Sequence, residues 1–153
     1  MTELGGKHSA GAGRGGSKTS LERLSAAIRY PDGMPDGALS YVFRVDGAEV
    51  RASESSGRLT LAMTLTSDEG MLPALASYAA GRMLREEATL AYEPDGGKAF
   101  LWQDAPATAD SHTLVRLFET FMDSCDWWRE RVAAASGALA GGGPEITQSI
   151  IRP

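Results

Sequence analysis

The sequence predicts an α+β fold, an antiparallel, strongly twisted five-stranded sheet carrying three helices in the order α-βββ-α-ββ-α. Three observations predict it. Residues 58–66 (RLTLAMTLT) alternate without a break, with Leu59, Leu61, Met63 and Leu65 on one face of an extended segment and Thr60, Ala62, Thr64 and Thr66 on the other. Turn signals at Asp46-Gly47, Ser55-Ser56-Gly57 and Pro94-Asp95-Gly96-Gly97 join extended segments into hairpins. Apolar residues at helical spacing mark three further segments. The Thr/Ala face of residues 58–66 lacks the Lys and Glu of a solvated face, so it asks for a covering layer.

The 153 residues hold one domain of about 120, within the usual range for a single core. Residues 1–18 are too poor in apolar side chains to offset the entropy of ordering and read as a disordered Gly-rich arm; 19–140 form the domain, and 141–153 a flexible tail. Of the net charge of −5, Glu3 against Lys7, Arg14 and Lys18 puts +2 on the arm, leaving −7 on the rest. An acidic body argues against a nucleic-acid partner. The lone Cys125 has no disulfide partner, no apolar run nears the ~20 residues a bilayer needs, and the arm lacks the apolar core of a signal peptide. These features predict a cytoplasmic protein without membrane insertion.

The first helix starts at Thr19, where Thr19 and Glu22 have capping-box spacing, and its apolar stripe is Leu21, Leu24, Ala27 and Ile28. Tyr30-Pro31-Asp32-Gly33 ends it. Leu39, Tyr41, Phe43 and Val45 alternate along the first strand, Val50 and Ala52 mark a weaker second one, and residues 58–66 complete a meander. The second helix runs from about Met71 to Glu86 and is apolar nearly all round, with Ala74, Ser77 and Gly81 as a small-residue stripe. A domain this small has too few elements to surround such a helix, which therefore reads as a subunit interface lying over the Thr/Ala face of residues 58–66, with a central core helix as the alternative. Residues 89–93 and 99–104 form the second hairpin, with Phe100 and Trp102 on one face and Leu101 on the other. The last helix, capped by Asp110 or Ser111, carries Leu114, Leu117, Phe118, Phe121, Met122, Cys125, Trp128 and Val132 on one stripe. Trp127 falls off that stripe and reads as a ring at the core rim under Arg131. Ile146 to Ile151 close the chain as a partly apolar terminus.

No catalytic or metal-binding constellation emerges, and no cofactor is expected. Gly11 and Gly16 have the spacing of a phosphate-binding loop, but Ser17 displaces Lys18 and no strand precedes them. His8 and His112 lack partners at metal-ligand spacing. Asp110-Ser111-His112 holds triad letters, but adjacent residues do not converge on one reacting atom, so helix capping is the better reading. Asp68-Glu69 and Glu86-Glu87 read as solvated ends of the second helix. Function therefore falls to surfaces.

The helix LERLSAAI (21–28), the strands LSYVFRVDGAEVRASE and RLTLAMTLT, the helix LPALASYAAGRML (72–84), the hairpin ATLAYEPDGGKAFLWQD and the helix HTLVRLFETFMDSCDWWRERV together span about residues 19–135. In this order, in a small acidic chain, they resemble the class I chaperones of bacterial type III secretion systems. The resemblance implies a non-enzymatic homodimer that binds the N-terminal segment of a secreted effector in extended form and keeps it export-competent without ATP. It implies a partner-binding groove at Leu21, Leu24, Ile28, Tyr41, Phe43 and Val50, and a dimer interface at Leu75, Tyr78, Ala79, Arg82 and Met83. The pattern is also similar to bacterial sensory-regulator domains of the same fold, which implies instead a folded protein partner or a ligand.

Overall fold

The computed structural model describes residues 17–82 and 84–141. Met83, nearly all of the N-terminal arm and the tail beyond Gly141, including Ile146 to Ile151, lie outside the described residues. Helix α1 (Ser20–Ala27) leads into strands β1 (Ser40–Val45), β2 (Ala48–Ser55) and β3 (Arg58–Thr66). A 3-10 turn (Glu69–Met71) then opens helix α2 (Leu72–Arg82), and strands β4 (Thr89–Glu93) and β5 (Lys98–Pro106) lead to helix α3 (Ser111–Gly141). The sheet is antiparallel throughout, in the order β1-β2-β3-β5-β4, so β3 is central and β1 and β4 are its edges. This is the predicted α+β architecture, element for element.

Local chemistry explains the turns. Asp46 and Gly47 have φ of 48° and 76°, and Ser56 and Gly57 have φ of 50° and 73°. Two successive positive φ values fit the right-handed twist of the flanking strands, and Asx-Gly or Ser-Gly pairs adopt them at low steric cost. The register follows, with Val45 opposite Ala48 and Ser55 opposite Arg58.

The core lies on one face of the sheet. Phe43, Val50, Leu59, Leu61 and Leu101 point into it, and Leu21 and Leu24 of α1 and Leu114, Phe121 and Trp128 of α3 close over them, all with at most 1% of their surface accessible. Leu75 and Ala79 of α2 belong to the same core. This corrects the expectation that the second helix lies over the Thr/Ala face of β3: all three helices lie on the Leu/Met side, with α2 packed beside α3, and no described helix covers the Thr/Ala face. A helix apolar all round carries no instruction about which layer it joins, and α2 joins the layer that already contains α3. It is also shorter than expected, ending at Arg82 rather than Glu86.

Candidate partner-binding surfaces

The first surface lies where α1 ends beside the edge strand β1. A complete capping box starts α1: Glu22 N–H donates to Thr19 Oγ1 (3.2 Å), and Thr19 N–H donates to Glu22 Oε2 (2.6 Å). Backbone N–H groups of Thr19 and then Gly37 hold the Glu22 carboxyl below its usual range. Ser20 N–H and Oγ–H both donate to Glu54 Oε2 (2.7 and 2.6 Å), and the Arg23 guanidinium donates to the carbonyls of Ala107 and Ala109. These bonds tie α1 to β2 and to the segment entering α3, and they seal the gap beneath the helix. Leu21, Leu24, Phe43 and Val50 consequently have no accessible surface. The groove expected at those four residues is closed in the single chain, because α1 and α3 pack side by side over the same sheet face. Ile28 and Tyr41 remain half-exposed. Ile28 lines an open cleft of about 390 Å³ with Tyr30, Val45 and Phe118, rimmed by Arg29, Asp32, Arg44 and Asp46.

The second surface is the outer side of α2. Of the residues expected at a subunit interface, Leu75 and Ala79 face inward, and Tyr78 and Arg82 are half-buried against α3. The Arg82 guanidinium lies 3.9 Å from the centre of the Trp127 ring and Arg131 lies 4.5 Å from it, so the ring is held between two cations. The reading of Trp127 as a rim residue under Arg131 holds, with Arg82 added. The residues that α2 turns outward are small: Ala76, Ser77, Ala80 and Gly81 are all exposed. Leu84, just beyond the helix, is 96% exposed.

The third surface is the uncovered sheet face. Thr60, Ala62 and Thr64 of β3 share it with Phe100 and Trp102 of β5, Arg51 of β2 and Val42 of β1; the register sets Ala62 opposite both Arg51 and Trp102, and Thr64 opposite Phe100. Phe100 and Trp102 are half-exposed. One end of this face forms a concavity of about 490 Å³ lined by Val42, Arg51, Ala62, Thr64, Phe100 and Lys98, among others.

No protein-family model matches the chain, and no curated protein matches it. Solved structures do. A chain of the HopA1–SchA chaperone–effector complex aligns at 20% identity over 70% of this chain and 90% of that one, with a TM-score of 0.55. A chain of the ExoT–SpcS complex from Pseudomonas aeruginosa aligns at 14% identity over 70% and 91%, with a TM-score of 0.56. One from the complex of the Yersinia pestis type III secretion chaperone SycH with a stable fragment of YscM2 aligns at 13% identity over 69% and 92%, with a TM-score of 0.50. The fold is that of the class I type III secretion chaperones.

Within this chaperone-like fold, the groups that looked chemically suggestive in sequence have structural partners. Asp110 Oδ1 accepts the Thr113 N–H (2.7 Å), which caps α3 and holds its carboxyl low. Burial pushes the Cys125 thiol up to about 12. Among the described residues no group of three or more His, Cys, Asp or Glu could hold a metal ion, and no helix is long and apolar enough to cross a membrane.

One expectation fails outright. Glu86 is not a solvated helix end: its side chain is 6% exposed, paired with Arg82 (2.9 and 3.2 Å), and accepts the indole N–H of Trp128 at 3.3 Å. Burial pushes its carboxyl up, but Arg82, Ser124 and Trp128 outweigh that and hold it below the usual range. The spacing of Arg82 and Glu86 was a visible hint. Trp128, distant in sequence, was not a partner that spacing could reveal.

Proposed function

We propose that the chain is an export chaperone that, as a homodimer, binds an extended segment of a secreted effector and keeps it export-competent. The observation that carries this reading is the combination of a half-bare sheet with an open edge strand, in a fold whose solved examples include the chaperone–effector complex of SchA. An extended segment can pair with the free backbone groups of β1 while its side chains reach the cleft beside Ile28. The second copy would cover the outer side of α2 and the Phe100/Trp102 face. The Leu75 and Ala79 contacts expected there then give way to Ala76, Ser77, Ala80 and Leu84, because the former are spent inside the chain. Small side chains allow close helix approach, and Leu84 has no other cover among the described residues.

Co-expression with a candidate effector, followed by limited proteolysis, tests the reading. A short stretch of the effector, lacking globular structure of its own, should survive digestion only in the complex. A regulator of the same fold that binds a folded partner would leave such a stretch unprotected. For the dimer, Ala80→Arg should yield a folded monomer by light scattering at micromolar concentration. An unchanged dimer would remove α2 from the interface.

A further inference from the structure

The open edge at β1 is partly filled by the chain itself. Asp46 and Gly47 form a two-residue hairpin closed by the pair Val45 and Ala48. Pairing in such a hairpin alternates, so Val45, Phe43 and Tyr41 exchange backbone hydrogen bonds with β2, and Arg44, Val42 and Ser40 turn theirs outward. The Leu39 carbonyl, two residues before Tyr41, accepts the Glu54 N–H at 2.8 Å, as this parity requires. On the outward side the Arg44 N–H meets a side chain: it donates to the Tyr30 hydroxyl at 3.2 Å. The Tyr30 ring also packs edge-on against Phe43 and Tyr41, with centroids 5.0 and 5.8 Å apart. Phe43 and Tyr41 point to the helix face of β1, the side on which alternate side chains of an added strand would lie.

We propose that Tyr30 is an internal plug of the β1 edge. Its hydroxyl takes the hydrogen bond that a carbonyl of an added strand would take from Arg44, and its ring occupies the place of that strand's inward side chain. The reading rests on the proposed binding of an extended segment at β1, and it specifies that segment's chemistry. Pairing along the whole edge requires an aromatic or large aliphatic residue to replace the Tyr30 ring over Tyr41 and Phe43, with a backbone carbonyl replacing the hydroxyl. A segment without such a residue pairs only along Ser40 and Val42. The plug sits just past a helix end: Arg29 has φ of 55°, an uncommon conformation for a residue with a side chain, and the chain from Tyr30 to Leu39 forms no helix or strand. The closed plug also guards the edge against pairing with other chains.

Amide-resolved hydrogen exchange on the full chain tests the hydrogen bond without any cargo. Tyr30→Phe keeps the ring and removes the acceptor, so exchange at the Arg44 amide should accelerate roughly tenfold with Val42 little changed. Equal Arg44 exchange in the two proteins overturns the proposal. The ring's role is read with a labelled synthetic peptide of residues 39–45 (LSYVFRV), an extended segment with two aromatic side chains. Tyr30→Ala should bind it at least tenfold more tightly than the parent, and Tyr30→Phe should fall between them. Equal affinities, or binding by none of the three, overturn it; Tyr30→Phe serves as the folded reference if Tyr30→Ala does not fold. Passing both tests while protecting no effector segment would sink the chaperone reading and leave the plug standing.

Discussion

The two faces of β3 belong to one strand and have opposite surroundings. Leu59 and Leu61 have no accessible surface, and Met63 has 4%. Thr60 and Ala62, their neighbours in the chain, are half-exposed, and Thr64 is exposed. One face is complete in a single chain because three helices cover it. The other is finished as a β surface, with small Thr and Ala side chains flanked by Phe100 and Trp102, yet no described helix packs on it. The difference separates residues that make the fold from residues that the single chain leaves accessible, and substitutions on the two faces should separate the same way.

The largest effect is expected on the closed face. Leu61→Ala leaves a cavity beneath α3 that close-packed neighbours fill only in part, and should cost about 3 kcal/mol in urea denaturation. A loss below about 1 kcal/mol would mean that the layer over β3 is loosely packed and that the contrast between the faces is overstated.

Next comes the clamp that holds the end of α2 against α3. Glu86→Gln removes the charge that Arg82 and Trp128 address and should cost about 2 kcal/mol, less than a fully enclosed pair because Arg82 is still partly solvated. The pH dependence has a definite sign. The folded state holds the Glu86 carboxyl below its reference value of 4.5, so its stabilisation is full above that value and is lost as pH falls through the lower folded value. The parent should therefore lose stability relative to Glu86→Gln as pH drops below about 4.5. Parallel denaturation curves from pH 6 down to about pH 3 would show that the pair contributes nothing.

The contrast between the faces was legible in the sequence; its cause was not. Alternation in residues 58–66 and paired turn residues at Asp46-Gly47 and Ser56-Gly57 are local signals, and they set hairpin, register and facing together. Where α2 sits is a tertiary choice. Its apolar surface runs round the whole helix, and only the burial of Leu75 and Ala79 beside α3 assigns it to the Leu/Met side. The candidate groove was legible only in part for a related reason: Leu21, Leu24, Phe43 and Val50 are apolar whether they line a groove or fill a core, and the α1–α3 contact that closes over them in the single chain joins segments distant in sequence. Glu86 and Tyr30 act through partners that spacing alone could not supply, Trp128 in one case and the Arg44 amide in the other.

The smallest effect on the chain's own stability, and the most informative for association, is expected on the open face. Thr64 is exposed, stands opposite Phe100 and contributes to the concavity of the sheet. Thr64→Arg should leave the unfolding free energy of the isolated chain within about 0.5 kcal/mol, since no packed neighbour is displaced and a long side chain can reach water. In a homodimer that covers this face, the same substitution buries an unpaired guanidinium against the partner, and sedimentation should then show monomer at concentrations where the parent is paired. A dimer that survives Thr64→Arg but fails with Ala80→Arg would confine the interface to the outer side of α2 and leave the sheet face free. Loss of pairing with both would join the two surfaces into one, with the Thr/Ala face of β3 at its centre.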